Sequence, residues 1–188
     1  MLVTLAVACR SRSQEPWQAF ESPRGGFTVS MPGKPVTHVD SSVHRKEDVQ
    51  PDGTLREGAP FVSEQTRSHR GEDGVYTVRW YEVPLTNELN ERKFLERLIA
   101  TKQLGTVFPR WIHLGPYVGI EYERLEPADG VLLRSRMFVV ESRVFHLWTN
   151  NWIERDDETS ARRFIDSFQL QLRPGLRVTY DDVVADRR

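Results

Sequence analysis

The sequence predicts an α+β fold in which an antiparallel β-sheet is flanked by helices. Segments that alternate apolar and polar side chains recur along most of the chain, and turns rich in glycine or proline separate them. Two segments change to the spacing of an amphipathic helix. Hairpins interrupted by two helices are typical of an antiparallel sheet covered by helices, since nothing else is large enough to bury the apolar helix faces.

The first strand is expected at residues 27–31, where apolar side chains alternate with Thr28 and Ser30. Pro32-Gly33 follows with the composition of a turn. Residues 36–43 are expected to return as the second strand. Six further strands are predicted from the same pattern, as three hairpins that pair residues 61–69 with 75–83, 106–114 with 117–125, and 131–140 with 144–152.

Two helices are expected, and each has one apolar stripe. The first spans residues 87–104, with Thr86 or Asn87 as its cap and Gly105 at its end. The second begins after Asp156 or Asp157 and runs toward Phe168. The residues expected to be buried are Phe94, Leu95, Leu98 and Ile99 on the first helix and Ala161, Phe164, Ile165 and Phe168 on the second.

Several short motifs resemble those of uncharacterised bacterial exported proteins. Residues 26–35 resemble their opening Gly-Phe strand with its Pro-Gly-x-Pro turn, and residues 115–122 resemble their glycine-containing strand. Residues 136–147 resemble their penultimate hairpin, and residues 164–170 resemble their closing Phe-x-Asp-Ser-Phe segment. Such proteins are similar in fold to PsbP, the extrinsic photosystem II subunit, and to a Ran-binding nuclear-import factor. The resemblance covers residues 17–172 and implies a PsbP-like α/β/α sandwich but no particular activity, because this fold hosts unrelated functions.

The N-terminal residues predict export. Residues 1–8 are uncharged and end in small side chains, which is typical of the end of a signal peptide. No Lys or Arg precedes them, so we expect the natural start to lie upstream. Residues 9–16 are polar, end in proline and are interpreted as a tether. A single domain is then expected at residues 17–172, with a charged C-terminal tail at 173–188.

Cys9 is the only cysteine, and it follows Ala6-Val7-Ala8. This stretch resembles the lipobox of bacterial lipoproteins, in which the cysteine is acylated and becomes the new N-terminus. The resemblance implies lipidation at Cys9 and a membrane as partner. Arg10 is not the Asp that retains such proteins in an inner membrane, which implies the outer membrane or the periplasmic face of the cell envelope. The alternative is that residues 2–8 form a buried edge strand with Cys9 in the core.

Composition excludes several classes of function. A net charge of −1 gives no overall excess of positive charge to hold nucleic acid or an anionic membrane. A single cysteine excludes an intramolecular disulfide and a cysteine-based zinc site. Five histidines are scattered without an HExxH frame, so neither metal nor cofactor is expected. Two pairs could still meet in space: His44 with Asp48, and His113 with His146, which are expected on neighbouring strands.

Two acidic residues form the first candidate site. Glu121 and Glu123 share one face of a predicted strand, and Arg134 and Arg136 are expected on the next strand. Ordinary cross-strand ion pairs on a solvent-facing sheet surface are one interpretation. A carboxylate site on an open sheet face is the other.

An aromatic segment forms the second candidate site. The four candidate ligand-binding residues are Trp148, Asn150, Asn151 and Trp152. The two tryptophans stand four residues apart and should share one face of a strand, beside two amides that could hold a sugar or a peptide. Trp80 and Trp111 are further candidates for this surface. Burial under the helices as ordinary core residues is the alternative.

Three hypotheses about function remain open at this point. The first is a non-catalytic, lipid-anchored module of the cell envelope that binds or assembles with an unknown ligand or envelope protein. The second is an enzyme of unknown type with a carboxylate or tryptophan-lined site. The third is a structural envelope domain that pairs through a sheet edge. A pocket with a strongly perturbed titratable group would favour the enzyme.

Overall fold

The structure is a computed structural model that describes residues 16–41, 62–70, 74–83, 85, 90–100, 109–126, 128–155, 157–173 and 176–178. Within these residues lie eleven strands, two α-helices and a short 3-10 turn, Ile153–Arg155. The strands are β1 Trp17–Ser22, β2 Phe27–Pro32, β3 Val36–Ser41, β4 Val62–Arg70, β5 Gly74–Glu82, β6 Arg110–Leu114, β7 Tyr117–Glu126, β8 Val131–Val140, β9 Arg143–Trp152, β10 Gln169–Arg173 and β11 Leu176–Val178. The helices are α1 Glu91–Ala100 and α2 Glu158–Asp166.

The strands form two antiparallel sheets. The large sheet has seven strands in the order β3-β4-β5-β9-β8-β7-β6, and the small sheet has four in the order β1-β2-β10-β11. Strands joined by short turns are therefore mostly neighbours, as expected for hairpins. The predicted α+β class with antiparallel pairing and two helices is confirmed.

One core lies between the two sheets. The face of the large sheet that turns toward the small sheet and α2 is called the inner face. Aromatic rings meet across this layer: Phe27 of β2 lies 6.0 Å from Phe145 of β9, and Phe138 of β8 stacks on Phe168 at 6.3 Å between ring centroids. Two hydrogen bonds also join the sheets, from Ser22 Oγ to Glu64 and from Ser68 Oγ to the main-chain oxygen of Pro32.

The opposite face of the large sheet, called the outer face, carries α1. Phe94 and Leu95 of the helix are buried against the sheet, while Leu98 and Ile99 are only partly buried there. The predicted burial is therefore confirmed for the first two residues and is weaker for the other two. The sheet residues in this second core are Ile120, Tyr122, Met137, Val139 and Val144.

The small sheet was not predicted, and one predicted hairpin is wrong. After the turn at Pro32-Gly33, β3 leaves the small sheet and pairs with β4 in the large sheet, while β2 pairs with β1 and β10. Strand alternation indicates that a segment is a strand but not which partner it takes. The strand β11 lies within residues 173–188, the predicted tail, and pairs with β10.

The remaining predicted elements agree with the structure to within a few residues. The three later hairpins are confirmed, with β6 beginning at Arg110 rather than at residue 106. Asp157 caps α2, because its Oδ1 accepts a hydrogen bond from the Ser160 amide at 2.9 Å. Residues 1–15, including Cys9, and the pair His44 and Asp48 lie outside the described residues. Neither described helix is long and apolar enough to cross a membrane.

Candidate functional site

The predicted carboxylate site is a cluster of ion pairs on the inner face. Glu121 stands opposite Arg136, and Glu123 stands opposite Arg134, in the register of β7 and β8. Arg136 Nε lies 2.8 Å from Glu121 Oε2, and Arg134 Nε lies 3.0 Å from Glu123 Oε1. The predicted cross-strand pairing is confirmed. We call these four residues, together with Arg162 and Asp166, the ion-pair cluster.

Helix α2 covers the Glu121–Arg136 part of this cluster, so the predicted solvent-facing surface is wrong there, whereas the Glu123 side chain is 49% exposed. Arg136 Nη1 lies 2.9 Å from Asp166 Oδ1 at the end of the helix. Arg162 lies one helical turn earlier, and its Nη1 atom is 3.5 Å from Glu121 Oε1. As a result the Arg136 side chain is only 1% exposed. The sequence pattern that suggests an exposed polar face could not show that a helix with its own charges packs on that face.

The charges of the cluster determine how Glu121 titrates. Burial by itself would raise the pKa of this carboxyl, but the charge and hydrogen bond of Arg136, with help from Arg110 and Arg162, lower it overall. Glu121 is therefore ionised at neutral pH. A carboxylate that shares three arginines is poorly suited to accept a proton from a substrate, so the geometry favours a structural role for the cluster.

The aromatic candidates divide between the two faces of the large sheet. Trp148, Asn150 and Trp152 alternate on β9 and lie on the outer face. Asn151 lies on the inner face and is buried, so the expectation that both amides flank the tryptophans is wrong. Side chains of adjacent strand residues point to opposite faces, and only one of two consecutive amides can therefore join the rings.

The outer face is open at the end of β9 that is remote from α1. Val144, near the start of β9, is buried in the helix-covered core, whereas Trp152 at the strand's end is 51% exposed. Trp148 between them is half-buried. We call Trp148, Asn150 and Trp152, with Thr77 opposite Trp148 on β5, the tryptophan face.

The two further candidate tryptophans, Trp80 and Trp111, do not join the tryptophan face. Trp80 is buried in the inner-face core. Trp111 lies on β6 beneath Arg92, whose guanidinium carbon is 4.5 Å from the ring centroid. Strands β8 and β7 separate β6 from β9, which places Trp111 about 14 Å away at the usual strand spacing.

A polar cluster that the sequence reasoning missed adjoins the tryptophan face. His146 Nε2 lies 2.7 Å from Ser135 Oγ and 3.5 Å from the Tyr122 hydroxyl. The His146 ring packs on Trp148 with 4.5 Å between centroids. Strand alternation places His146 beside Trp148, but the partner on β8 follows only from the register of the hairpin.

His146 and Tyr81 are both neutral over the physiological pH range. Burial, and then the positive charge of Arg79, lowers the pKa of His146 to about 3. Burial raises the pKa of Tyr81 to about 12, against an opposing effect of Arg79. Ser135 is fully buried, so the Ser135–His146 pair lacks the exposed nucleophile that acyl transfer requires. The His146 ring of this pair instead packs against Trp148.

Two buried polar atoms of the tryptophan face make no hydrogen bond within the structure. They are the hydroxyl oxygen of Thr77, a residue that is 1% exposed, and the side-chain oxygen of Asn150. Both side chains lie on the outer face by strand alternation. Buried polar atoms are normally paired, so two of them on the face that carries Trp148 and Trp152 indicate a place where a ligand could supply the missing partners.

The predicted meeting of His113 and His146 does not occur. Both side chains belong to the outer face, but β7 and β8 lie between β6 and β9. In the part of the chain that the structure describes, no three or more His, Cys, Asp or Glu side chains stand close enough together to hold a metal ion.

The chain was compared with protein families, curated proteins and solved structures. No protein-family model, no curated protein and no solved structure matches the chain. The fold and the site therefore define the class by themselves: an α+β protein with a charged inner cluster that ties α2 to the sheet. On its outer face it carries a partly exposed aromatic surface with unpaired polar atoms.

Proposed function

We propose that the protein is a non-catalytic, lipid-anchored binding module of the cell envelope with a PsbP-like α/β/α arrangement. The lipobox-like stretch that ends in Cys9 supports the anchor. The placement of one helix on each face of the large sheet is compatible with the proposed arrangement. The ligand of this module contacts the tryptophan face.

One observation carries the binding function. Trp152 exposes about half of its side chain on an outer face that also holds the half-buried ring of Trp148. Large aromatic side chains are costly to leave in water, and a partly exposed pair is typical of a surface that binds something. By contrast, Arg136 in the ion-pair cluster and Ser135 in the Ser135–His146 pair are buried.

The anchor is tested on mature protein recovered from the cell envelope. Mass spectrometry of the N-terminal peptide should find Cys9 as the acylated first residue of the mature protein. Two acyl chains bind a bilayer stably, because each buried methylene contributes about 0.8 kcal/mol. Wild type should therefore partition into detergent, and Cys9→Ser should remain in the aqueous phase. Unmodified Cys9 still joined to Ala8 would overturn the proposed anchor.

A further inference from the structure

We infer that the tryptophan face binds a saccharide. The inference rests on the proposed function of a binding module and specifies its ligand class. Its basis is the combination of an exposed indole ring, two unpartnered buried oxygen atoms and a position in the interior of a sheet.

The position of β9 argues against an extended peptide as the ligand. A peptide commonly adds to a sheet through main-chain hydrogen bonds at an exposed edge. Strand β9 lies between β5 and β8, and it is paired with β8 along its whole length and with β5 from Arg143 to Asn151. The tryptophan face therefore offers only ring faces and side-chain polar groups. A ligand must recognise those groups without the main-chain hydrogen bonds that a strand edge would supply.

The ring faces and the unpaired oxygens together fit a sugar. A pyranose has an apolar face of C–H groups, which packs on an indole such as that of Trp152, and a rim of hydroxyls that donate and accept hydrogen bonds. Asn150 Oδ1 needs a donor, and Thr77 Oγ1 can take either role. Both atoms are covered by neighbouring side chains. A sugar hydroxyl that reaches them must move side chains around them, and Trp148 stands opposite Thr77, which predicts a change in tryptophan fluorescence.

The test uses the full-length protein and calorimetric titration with three probes. These are a β-1,4-linked N-acetylglucosamine tetramer, a β-1,4-linked glucose tetramer and a proline-rich decapeptide. At least one oligosaccharide should bind saturably and change the fluorescence. Trp152→Ala should weaken that binding by about tenfold through loss of the stacked ring. Trp111→Phe, a change at a half-buried tryptophan of the same outer face, should leave it unchanged.

Thr77→Val provides a readout that a purely structural role would not give. The hydroxyl is buried without a partner, so its replacement by a methyl group should not lower the melting temperature. The same change should weaken oligosaccharide binding severalfold. Equal binding by wild type and Trp152→Ala, binding of the peptide alone, or no saturable binding of either oligosaccharide at millimolar concentration would overturn the inference. Detergent partitioning of Cys9→Ser is measured separately. The failure of the proposed lipid anchor can therefore be distinguished from the failure of the proposed saccharide binding.

Discussion

Arg136 Nε donates to Glu121 Oε2 at 2.8 Å across the β7–β8 pair, while Arg136 Nη1 lies 2.9 Å from Asp166 Oδ1 at the end of α2. One buried guanidinium thus joins two adjacent strands and the helix that covers them. Removal of one member of such a group leaves the remaining charges without compensation in a partly buried site.

We expect Arg136→Met to lower the free energy of unfolding by about 3–5 kcal/mol, the range for breaking a buried ion pair from one side. Arg110→Met is the matched control, because Arg110 contacts the same carboxylate at 2.7 Å but is 57% exposed. Its loss should cost about 1 kcal/mol or less. Urea denaturation measures both values. Equal losses for the two variants would show that burial of Arg136 contributes nothing.

The low pKa of His146 predicts a pH dependence of stability. The pKa is about 3 in the folded state and about 6.5 when unfolded, so the unfolded chain binds more protons between these values. The contribution of neutral His146 is therefore complete above pH 6.5 and is lost as the pH falls toward 3. Glu121, with its lowered pKa, contributes a similar loss only below about pH 4.5.

His146→Gln should flatten this dependence between pH 6.5 and 4.5. Glutamine keeps a group that can hydrogen-bond to Ser135 but carries no titratable proton. Melting temperatures of wild type and variant, measured at intervals across this window, give the two slopes. Parallel slopes would mean that the pKa of His146 does not differ between the folded and unfolded states.

Helix α1 offers two leucines with different burial. Leu95 is fully buried in the outer-face core, and Leu95→Ala should cost about 2–5 kcal/mol. Leu98 is only partly buried, and Leu98→Ala should cost about 1 kcal/mol. Chemical denaturation of the two variants measures the difference. A larger loss for Leu98 would mean that the helix presents a different face to the sheet.

Gly119 of β7 is required by the ring that lies over it. A Cβ atom there would overlap the ring of Phe138 and lie 2.5 Å from the main-chain oxygen of Met137. Because a main-chain atom cannot move aside cheaply, Gly119→Ala should destabilise the protein by about 1–3 kcal/mol. The melting temperature checks this value. An unchanged melting temperature would show that Phe138 and β8 shift at little cost.

Local patterns were sufficient to predict most strands and both helices. Alternation identified the hairpins, and the acidic cap at Asp157 located the start of α2. Those features depend on residues that are close in sequence. The pairing of β3 with β4 and the existence of a second sheet depend on contacts between distant segments, and the alternation of apolar residues does not encode those contacts.

The candidate sites also combine features that follow from local sequence with features that depend on contacts between distant segments. The alternation rule placed Trp148 and Trp152 on one face, and it placed Glu121 and Glu123 on one face beside the strand that carries Arg134 and Arg136. It could not reveal that α2 covers the charged pair. The contact between His146 and Ser135 also required the register of β8 against β9, which a single strand pattern does not supply.

The chain enters the described structure through β1, which is an edge strand of the small sheet and pairs with β2 over six residues. Any mechanical load applied at the N-terminal side is therefore taken up first by this short ladder. The inner-face core and the large sheet lie between that point and the tryptophan face. In a molecule tethered by its N-terminus, a pull exerted through a ligand at Trp152 would pass through the large sheet and the inner-face core before it reached the small sheet and the anchor.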